Sequence, residues 1–130
     1  MTWRCAGGKP HVLMVDDIAD VVELTKMLLE GYGYTVVTAG TGAEALAVLD
    51  RERVDVAVID LGLPDMDGAD VATSIKQCAR WSHIKTIAMT GDAGADAVQT
   101  PSGAGFDAYV IKPFSGTDLI AVIEPLCGQN

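Results

Sequence analysis

Five short apolar segments, separated by stretches with helical spacing, constrain this chain more than any other feature of its sequence. Short, nearly continuous apolar runs are typical of strands that are covered on both faces. The five runs are His11–Val15, Tyr34–Thr38, Val56–Ile59, Ile84–Met89 and Ala108–Ile111. Strands that alternate with helices pair in parallel through right-handed crossovers. The pattern therefore predicts an α/β fold, a doubly wound five-stranded parallel sheet with helices on both faces.

The stretch after the first run has the spacing of a helix. Over Ile18–Tyr32 the apolar residues Val21, Leu24, Leu28 and Tyr32 recur at helical intervals, and they predict the buried stripe of a first helix. The Gly31–Gly33 region ends this pattern.

Further helix starts are marked by capping sequences. Thr41 and Glu44 have the spacing of a capping box, in which each side chain accepts a hydrogen bond from the other residue's backbone amide. This signal opens a second helix, a third is expected over Ala69–Ala79, and a second cap signal at Ser115–Asp118 opens the last one.

The stretch between the fourth and fifth runs is a poor helix former. Residues Ala93–Gly105 read AGADAVQTPSGAG. Gly94 costs about 1 kcal/mol in a helix, and Pro101 costs roughly 3 kcal/mol because it removes an amide donor and clashes with the preceding turn. The fourth helix is therefore predicted to be short or broken.

Length and composition limit the organisation of the chain. Its 130 residues suit one domain, placed here at residues 11–127 after a loose tail at residues 1–10. No apolar run approaches the ~20 residues of a membrane helix, and the first residues lack a signal-peptide core, so no membrane association and a cytoplasmic location are expected. The three cysteines, widely spaced, are expected to be reduced thiols; they are Cys5, Cys78 and Cys127.

The charge balance bears on the partners. Lys and Arg total 9 against 18 for Asp and Glu, which gives a net charge of -9. This excess of acid opposes nucleic-acid binding by the domain and favours cations or basic partner surfaces.

Polar side chains follow four of the predicted strands. They are Asp16, Asp17, Asp60, Thr90 and Lys112. In an open parallel sheet the ligand crevice lies outside the carboxyl ends of the strands, so these groups are expected to converge on one edge.

Three clustered carboxylates repel each other unless a cation lies among them. Mg²⁺ suits a site with few protein carboxylates, and a lysine and a hydroxyl beside it indicate a bound phosphoryl group. Each residue alone also has an ordinary structural explanation. Asp17 could cap a helix, Thr90 could be a turn residue, and Lys112 could be a solvated surface cation. Asp65 and Asp67 lie in a Pro/Gly turn and are assigned structural roles. The convergence of complementary groups favours the phosphoryl site.

Four motifs resemble the receiver domain of bacterial two-component response regulators, the CheY-like superfamily. They are VLMVDD at Val12–Asp17, VIDLGLPDMDG at Val58–Gly68, MTG at Met89–Gly91 and YVIKPF at Tyr109–Phe114. The resemblance covers nearly the whole chain, and the motifs occur in order.

The resemblance implies a role for each site residue. Asp60 would accept a phosphoryl group from a phosphohistidine on a histidine kinase or histidine phosphotransfer protein. Mg²⁺ would be bound by Asp16, Asp17, Asp60 and the backbone carbonyl of Gly62. Thr90 and Lys112 would contact phosphoryl oxygens, and the Lys112–Pro113 peptide bond would be cis. Thr90 and Tyr109 would couple phosphorylation to a conformational switch.

Other functions are also compatible with these residues. The main alternative is a Mg²⁺-dependent phosphohydrolase with an Asp nucleophile, although such enzymes of the haloacid-dehalogenase type need a D-x-D motif where this chain has Asp16-Asp17-Ile18. A nucleotide site is disfavoured because the G-x-G at Gly103–Gly105 precedes a strand. We expect a signalling domain without multiple-turnover activity, monomeric or weakly dimeric. It would be either a stand-alone regulator or a receiver piece of a hybrid histidine kinase.

Overall fold

Five strands form one fully parallel sheet. The computed structural model describes residues 10–61, 63, 65, 68–90, 106–111 and 116–127, and only the backbone of Thr90, Gly116, Leu126 and Cys127. The strands are β1 His11–Val15, β2 Thr35–Ala39, β3 Val56–Asp60, β4 Lys85–Thr90 and β5 Ala108–Ile111. Their order is β2-β1-β3-β4-β5, and every neighbouring pair is parallel. The predicted doubly wound five-stranded sheet is confirmed, with each strand within one residue of its predicted bounds.

Helices connect and cover the strands. They are α1 Ala19–Gly31, α2 Gly42–Arg51, α3 Gly68–Gln77, a 3-10 turn Ala79–Trp81, and a C-terminal helix Gly116–Cys127. No helix among the described residues is long and apolar enough to cross a membrane. Cys78, the cysteine whose side chain is described, is a free thiol as predicted.

Three predictions fall on other parts of the chain. The broken fourth helix, the loose tail apart from Pro10, and the cap signal at Ser115 lie outside the described residues.

The alternation of side chains along the strands builds two apolar layers. One face of the sheet packs against α2 and α3, through Leu13, Val15, Ala57, Ile59, Ala45, Val48, Leu49, Val71, Ala72 and Ile75. The other packs against α1 and the C-terminal helix, through Val12, Met14, Val56, Val58, Ile87, Met89, Leu29, Leu119, Ile120 and Ile123. Because successive strand residues point to opposite faces, the continuous apolar runs supply both layers.

The buried face of α1 differs from the predicted one. Val22, Thr25 and Leu29 are the buried positions, whereas Leu24, Leu28 and Tyr32 of the predicted stripe are all at least 40% exposed. The predicted stripe is therefore wrong by one residue. Apolar residues occur at helical spacing on two adjacent sides of α1, and packing against the sheet and the C-terminal helix selects the side that includes Leu29.

The start of α2 is capped by its own side chains. The Thr41 hydroxyl accepts a hydrogen bond from the Glu44 amide at 3.0 Å, as the capping box predicts. The Glu44 carboxylate accepts from the Gly40 amide at 2.7 Å instead of from Thr41. Half of the predicted box is confirmed, and its carboxylate reaches one residue further back along the chain.

Candidate functional site

Asp16 lies at the point where the chain leaves β1. Its amide donates to the Ala39 carbonyl at 3.0 Å, which extends the pairing with β2 by one residue. One of its carboxylate oxygens accepts from the Ile18 amide at 3.0 Å, and the residue is 2% exposed. This hydrogen bond turns the chain into α1 and fixes the carboxylate. Asp17, the next residue, is exposed.

Asp60 is the last residue of β3, in the middle of the sheet. It is 8% exposed and pairs in register with Met89 of β4. The following residue, Leu61, donates its amide to the Met89 carbonyl at 3.2 Å, so the backbone on both sides of the Asp60 peptide is held by the sheet. A rigid strand end therefore presents this carboxylate at the carboxyl edge.

The structure brings Asp16, Asp17 and Asp60 together. One carboxylate oxygen from each lies within 4.8 Å of those of the other two. All three donors are hard oxygens, and exposed Asp17 leaves the cluster open to water. Mg²⁺ prefers oxygen ligands and retains several waters, so the donor set fits this ion. A cation here would also relieve the mutual repulsion of the carboxylates.

Three predicted site residues are described only in part or lie outside the described residues. The backbone of Thr90 ends β4 opposite Ile111, the last residue of β5, and its side chain is not described. Lys112 follows Ile111 directly in the sequence. Lys112, Gly62 and the Lys112–Pro113 peptide bond lie outside the described residues.

Tyr109 lies on β5, close in register to the end of β4. It is partly buried and pairs with Ala88, two residues before Thr90. The backbone register thus brings the Tyr109 and Thr90 positions onto adjacent strands near the same edge of the sheet.

Two residues between the end of β3 and the first turn of α3 have contacts that the sequence did not reveal. Asp65, predicted to be structural, accepts hydrogen bonds from the amides of Gly42 and Ala43 at the start of α2. Gly68 lies against the Asp60 backbone so closely that a Cβ would come within 2.3 Å of the Asp60 carbonyl oxygen. Glycine is a poor residue inside a helix, so its place at a helix start was the available signal of close approach. Asp67 lies outside the described residues.

The comparisons with known proteins agree with this geometry. Residues 12–124 match the sequence model of the response regulator receiver domain. The chain belongs to this family. Receiver domains are components of two-component signalling systems, and the acidic cluster at the carboxyl edge is where such domains generally bind Mg²⁺.

Relatives of this receiver domain include both short and long proteins. It is 31% identical over 116 residues to an uncharacterized 14.6 kDa protein of Leptolyngbya boryana, covering 89% of this chain and 88% of that protein. It is 37% identical over 125 residues to the probable transcriptional regulatory protein TcrX of Mycobacterium tuberculosis, covering 95% of this chain and 52% of TcrX. The chain spans about half the length of the curated regulators it matches.

Solved receiver structures have the same fold. A CheY-like response regulator receiver domain protein from Methanospirillum hungatei is 35% identical with a TM-score of 0.82, covering 90% of this chain and 93% of the other. A putative response regulator from Chloroflexus aurantiacus is 28% identical with a TM-score of 0.86, covering 93% and 100%. In both cases the similarity covers at least 90% of this chain.

Proposed function

We propose that this receiver domain is a phosphoacceptor that takes a phosphoryl group onto Asp60 from a phosphohistidine of a histidine kinase or histidine phosphotransfer protein. The observation that carries the proposal is the convergence of Asp16, Asp17 and Asp60 within 4.8 Å at the end of the central strands. A cytoplasmic location and a monomeric or weakly dimeric state stay predictions.

Asp60 suits the acceptor role better than the other two acids. One oxygen of Asp16 is occupied by the Ile18 amide, and Asp16 is 2% exposed against 8% for Asp60. Asp17 is exposed and less constrained. Asp60 is the last residue of β3 and is still paired with Met89 of β4. Its carboxylate is therefore held at a defined place relative to an incoming group.

The three carboxylates, with the Gly62 carbonyl as a further ligand, would hold Mg²⁺. The ion would neutralise charge on the transferring phosphoryl group and on the acids around it. Without this neutralisation, the negatively charged phosphoryl group would be repelled by the three carboxylates.

The transfer itself is an in-line displacement. An Asp60 oxygen forms the new bond to phosphorus as the P–N bond of phosphohistidine breaks, and the departing imidazole nitrogen takes up a proton from water. Lys112 would stabilise charge on the phosphoryl oxygens. Water that later attacks the aspartyl phosphate returns the Asp60 carboxylate and releases inorganic phosphate. The domain is thus modified and restored, and acts as a signalling component.

The switch is proposed to pass through Thr90 and Tyr109. Thr90 would donate to a phosphoryl oxygen, and Tyr109 would change its burial in response. The partly buried state of Tyr109 and its register position near Thr90 support this step. The phosphoryl group would act by binding one of two conformations better than the other.

The partner is proposed to dock on α1. We define the α1 face as Ile18, Leu24, Met27, Leu28 and Tyr32, which are between 40% and 67% exposed. Ile18 follows Asp17 directly, so this apolar surface begins beside the acidic cluster. An apolar patch next to a charged site favours a protein partner that delivers its phosphohistidine there.

Phosphorylation from a small donor tests the proposal. The domain is incubated with acetyl phosphate and Mg²⁺, and its intact mass is measured; we expect one phosphoryl group, lost on omission of Mg²⁺. Asp60→Asn should take up none, whereas Asp50→Asn, an exposed acid on α2, should behave as the wild type. Continued phosphorylation of Asp60→Asn would contradict the assignment. Catalytic release of phosphate from many ester molecules per protein would favour the phosphohydrolase instead.

A further inference from the structure

We infer that Asp65 is a positioning residue for this site. Its carboxylate ties the segment between β3 and α3 to the start of α2, and this tie sets the Mg²⁺ affinity and the rate of phosphoryl uptake. The inference rests on the proposed function, because it concerns the segment that follows Asp60 and contains Gly62.

The contact is bidentate. One oxygen of Asp65 accepts from the Gly42 amide at 2.8 Å, and the other accepts from the Ala43 amide at 3.0 Å. The first amides of a helix have no partner within the helix. Thr41 takes the Glu44 amide, so Asp65 supplies the acceptor for the two amides before it. These amides are 22 and 23 residues away in the sequence.

A carboxylate at this place is held firmly. Its negative charge is favourable at the positive end of the α2 dipole, and both of its hydrogen bonds are charge-assisted. Two bonds from one planar group also fix its orientation. Asp65 is therefore anchored to an element that is itself packed into the apolar layer through Ala45, Val48 and Leu49.

The same segment is anchored at its two ends. Leu61 donates to Met89 at 3.2 Å, and its carbonyl accepts from the Gly68 amide at 3.1 Å. Asp65 thus adds a polar attachment between these two, on the side of α2. Gly62, the proposed carbonyl ligand, lies in the sequence between Leu61 and Asp65. Leu63 is buried in the same apolar layer as α2 and α3, so loss of Asp65 would remove the polar attachment of this stretch and leave its apolar one.

The tie also has an electrostatic consequence. Among the described residues, the acidic cluster contains Asp16, Asp17 and Asp60 and does not include Asp65. Asp65 belongs to the segment that follows Asp60, but its two oxygens accept hydrogen bonds from the α2 amides. Its negative charge is therefore held at the start of α2 and does not join the three carboxylates of the cluster.

A comparison of two caps of the same helix tests the inference. Asp65→Ala and Thr41→Ala each remove an acceptor from the start of α2, but only the first removes an attachment of the segment after Asp60. We measure the melting temperature, the Mg²⁺ dissociation constant by calorimetric titration, and the rate of phosphate uptake from acetyl phosphate. Both variants should melt below the wild type, whereas only Asp65→Ala should lose Mg²⁺ affinity, by several-fold.

A conservative variant separates positioning from folding. Asp65→Asn keeps one carbonyl acceptor, so it should recover part of the Mg²⁺ affinity, and it replaces Asp65→Ala in the comparison if that variant does not fold. Equal Mg²⁺ affinities and uptake rates for wild type and the Asp65 variants would overturn the inference and leave Asp65 as a cap only. A wild type that binds Mg²⁺ but takes up no phosphate would refute the proposed function, while the Mg²⁺ titration would still decide the role of Asp65.

Discussion

Gly68 and Asp60 approach each other so closely that no side chain fits between them. A Cβ at Gly68 would lie 2.3 Å from the carbonyl oxygen of Asp60 and 2.9 Å from its carbonyl carbon. These are backbone atoms held by the central strand, and they cannot move aside as a flexible side chain would. The absence of a side chain at Gly68 therefore sets how closely α3 begins against the proposed phosphoacceptor.

Gly68→Ala should damage both stability and the site. Insertion of one methyl group into this contact forces the backbone apart, and such overpacking costs about 1–3 kcal/mol. Urea unfolding should show this loss in the free energy of unfolding, and the displaced Asp60 should take up phosphate from acetyl phosphate more slowly than in the wild type.

Gly31→Ala is the matched control. Gly31 is the last residue of α1, and a Cβ there would have no heavy atom within 4 Å. Alanine is favoured over glycine in helices by up to about 1 kcal/mol, so this variant should be unchanged or slightly more stable. If Gly68→Ala matched Gly31→Ala in both measurements, the close contact would not be a constraint on the fold.

The acidic cluster predicts opposite effects of one variant with and without metal. In the presence of a chelator that removes Mg²⁺, Asp17→Asn eliminates one of three mutually repelling charges and should raise the melting temperature. With Mg²⁺ at about 100 times its dissociation constant, the wild type should gain about 2.7 kcal/mol, and the variant should gain clearly less. The order of the two melting temperatures should therefore reverse on addition of Mg²⁺.

Asp50→Asn gives the baseline for that comparison. Asp50 is exposed on α2 and forms an ion pair with Arg80 away from the cluster. Surface pairs of this kind contribute about 0–1 kcal/mol, and the small effect should be the same with and without Mg²⁺. An Asp17→Asn variant that shifted in parallel with Asp50→Asn would argue against a cation at the cluster.

The fold could be predicted because its determinants are local. Short apolar runs and helical spacing fix the type and order of the elements, and strands followed by helices leave few topologies. The acidic cluster could also be anticipated, since the carboxyl ends of parallel strands share one edge. The sequence predicted the positions of Asp16, Asp17 and Asp60 for this reason.

The contacts that the sequence did not reveal depend on packing between distant segments. The α1 stripe was misplaced because two adjacent sides of that helix are apolar, and only the rest of the fold decides which side is buried. Asp65 was assigned to its own turn because nothing in the local sequence marks the α2 amides as its partners. The Gly68 contact likewise depends on how closely α3 approaches β3.

Polar substitutions on the α1 face should slow phosphorylation by a protein partner and leave phosphorylation by a small donor unchanged. Leu24 and Met27 are 59% and 67% exposed, so a Leu24→Ser/Met27→Ser double variant should change stability by little. Transfer from a phosphorylated histidine phosphotransfer protein should slow at least several-fold, because the apolar contact contributes to docking. Uptake from acetyl phosphate, which needs no docking surface, should stay at the wild-type rate.

Ala47→Ser provides the control for that surface, since Ala47 is exposed on α2. It should leave both reactions unchanged. Equal transfer rates for the double variant and Ala47→Ser would move the docking surface away from α1.

Replacement of Asp107 should lower the stability of the domain and leave phosphate uptake at Asp60 unchanged. One of its oxygens accepts from the Thr86 amide at 2.8 Å, the Thr86 hydroxyl at 3.3 Å and the Lys76 amine at 3.0 Å. Thr86 is fully buried, so Asp107→Ala removes a charged acceptor from a buried residue and should cost about 1–3 kcal/mol in urea unfolding. Two control variants accompany this prediction. Lys76→Ala breaks a part-exposed ion pair and should cost less than about 1 kcal/mol. Asp107→Asn keeps an acceptor for Thr86, so its loss in free energy of unfolding should lie between those of Asp107→Ala and Lys76→Ala. A larger loss for Lys76→Ala than for Asp107→Ala would show that the ion pair, and not the buried hydrogen bonds, holds β5 to β4.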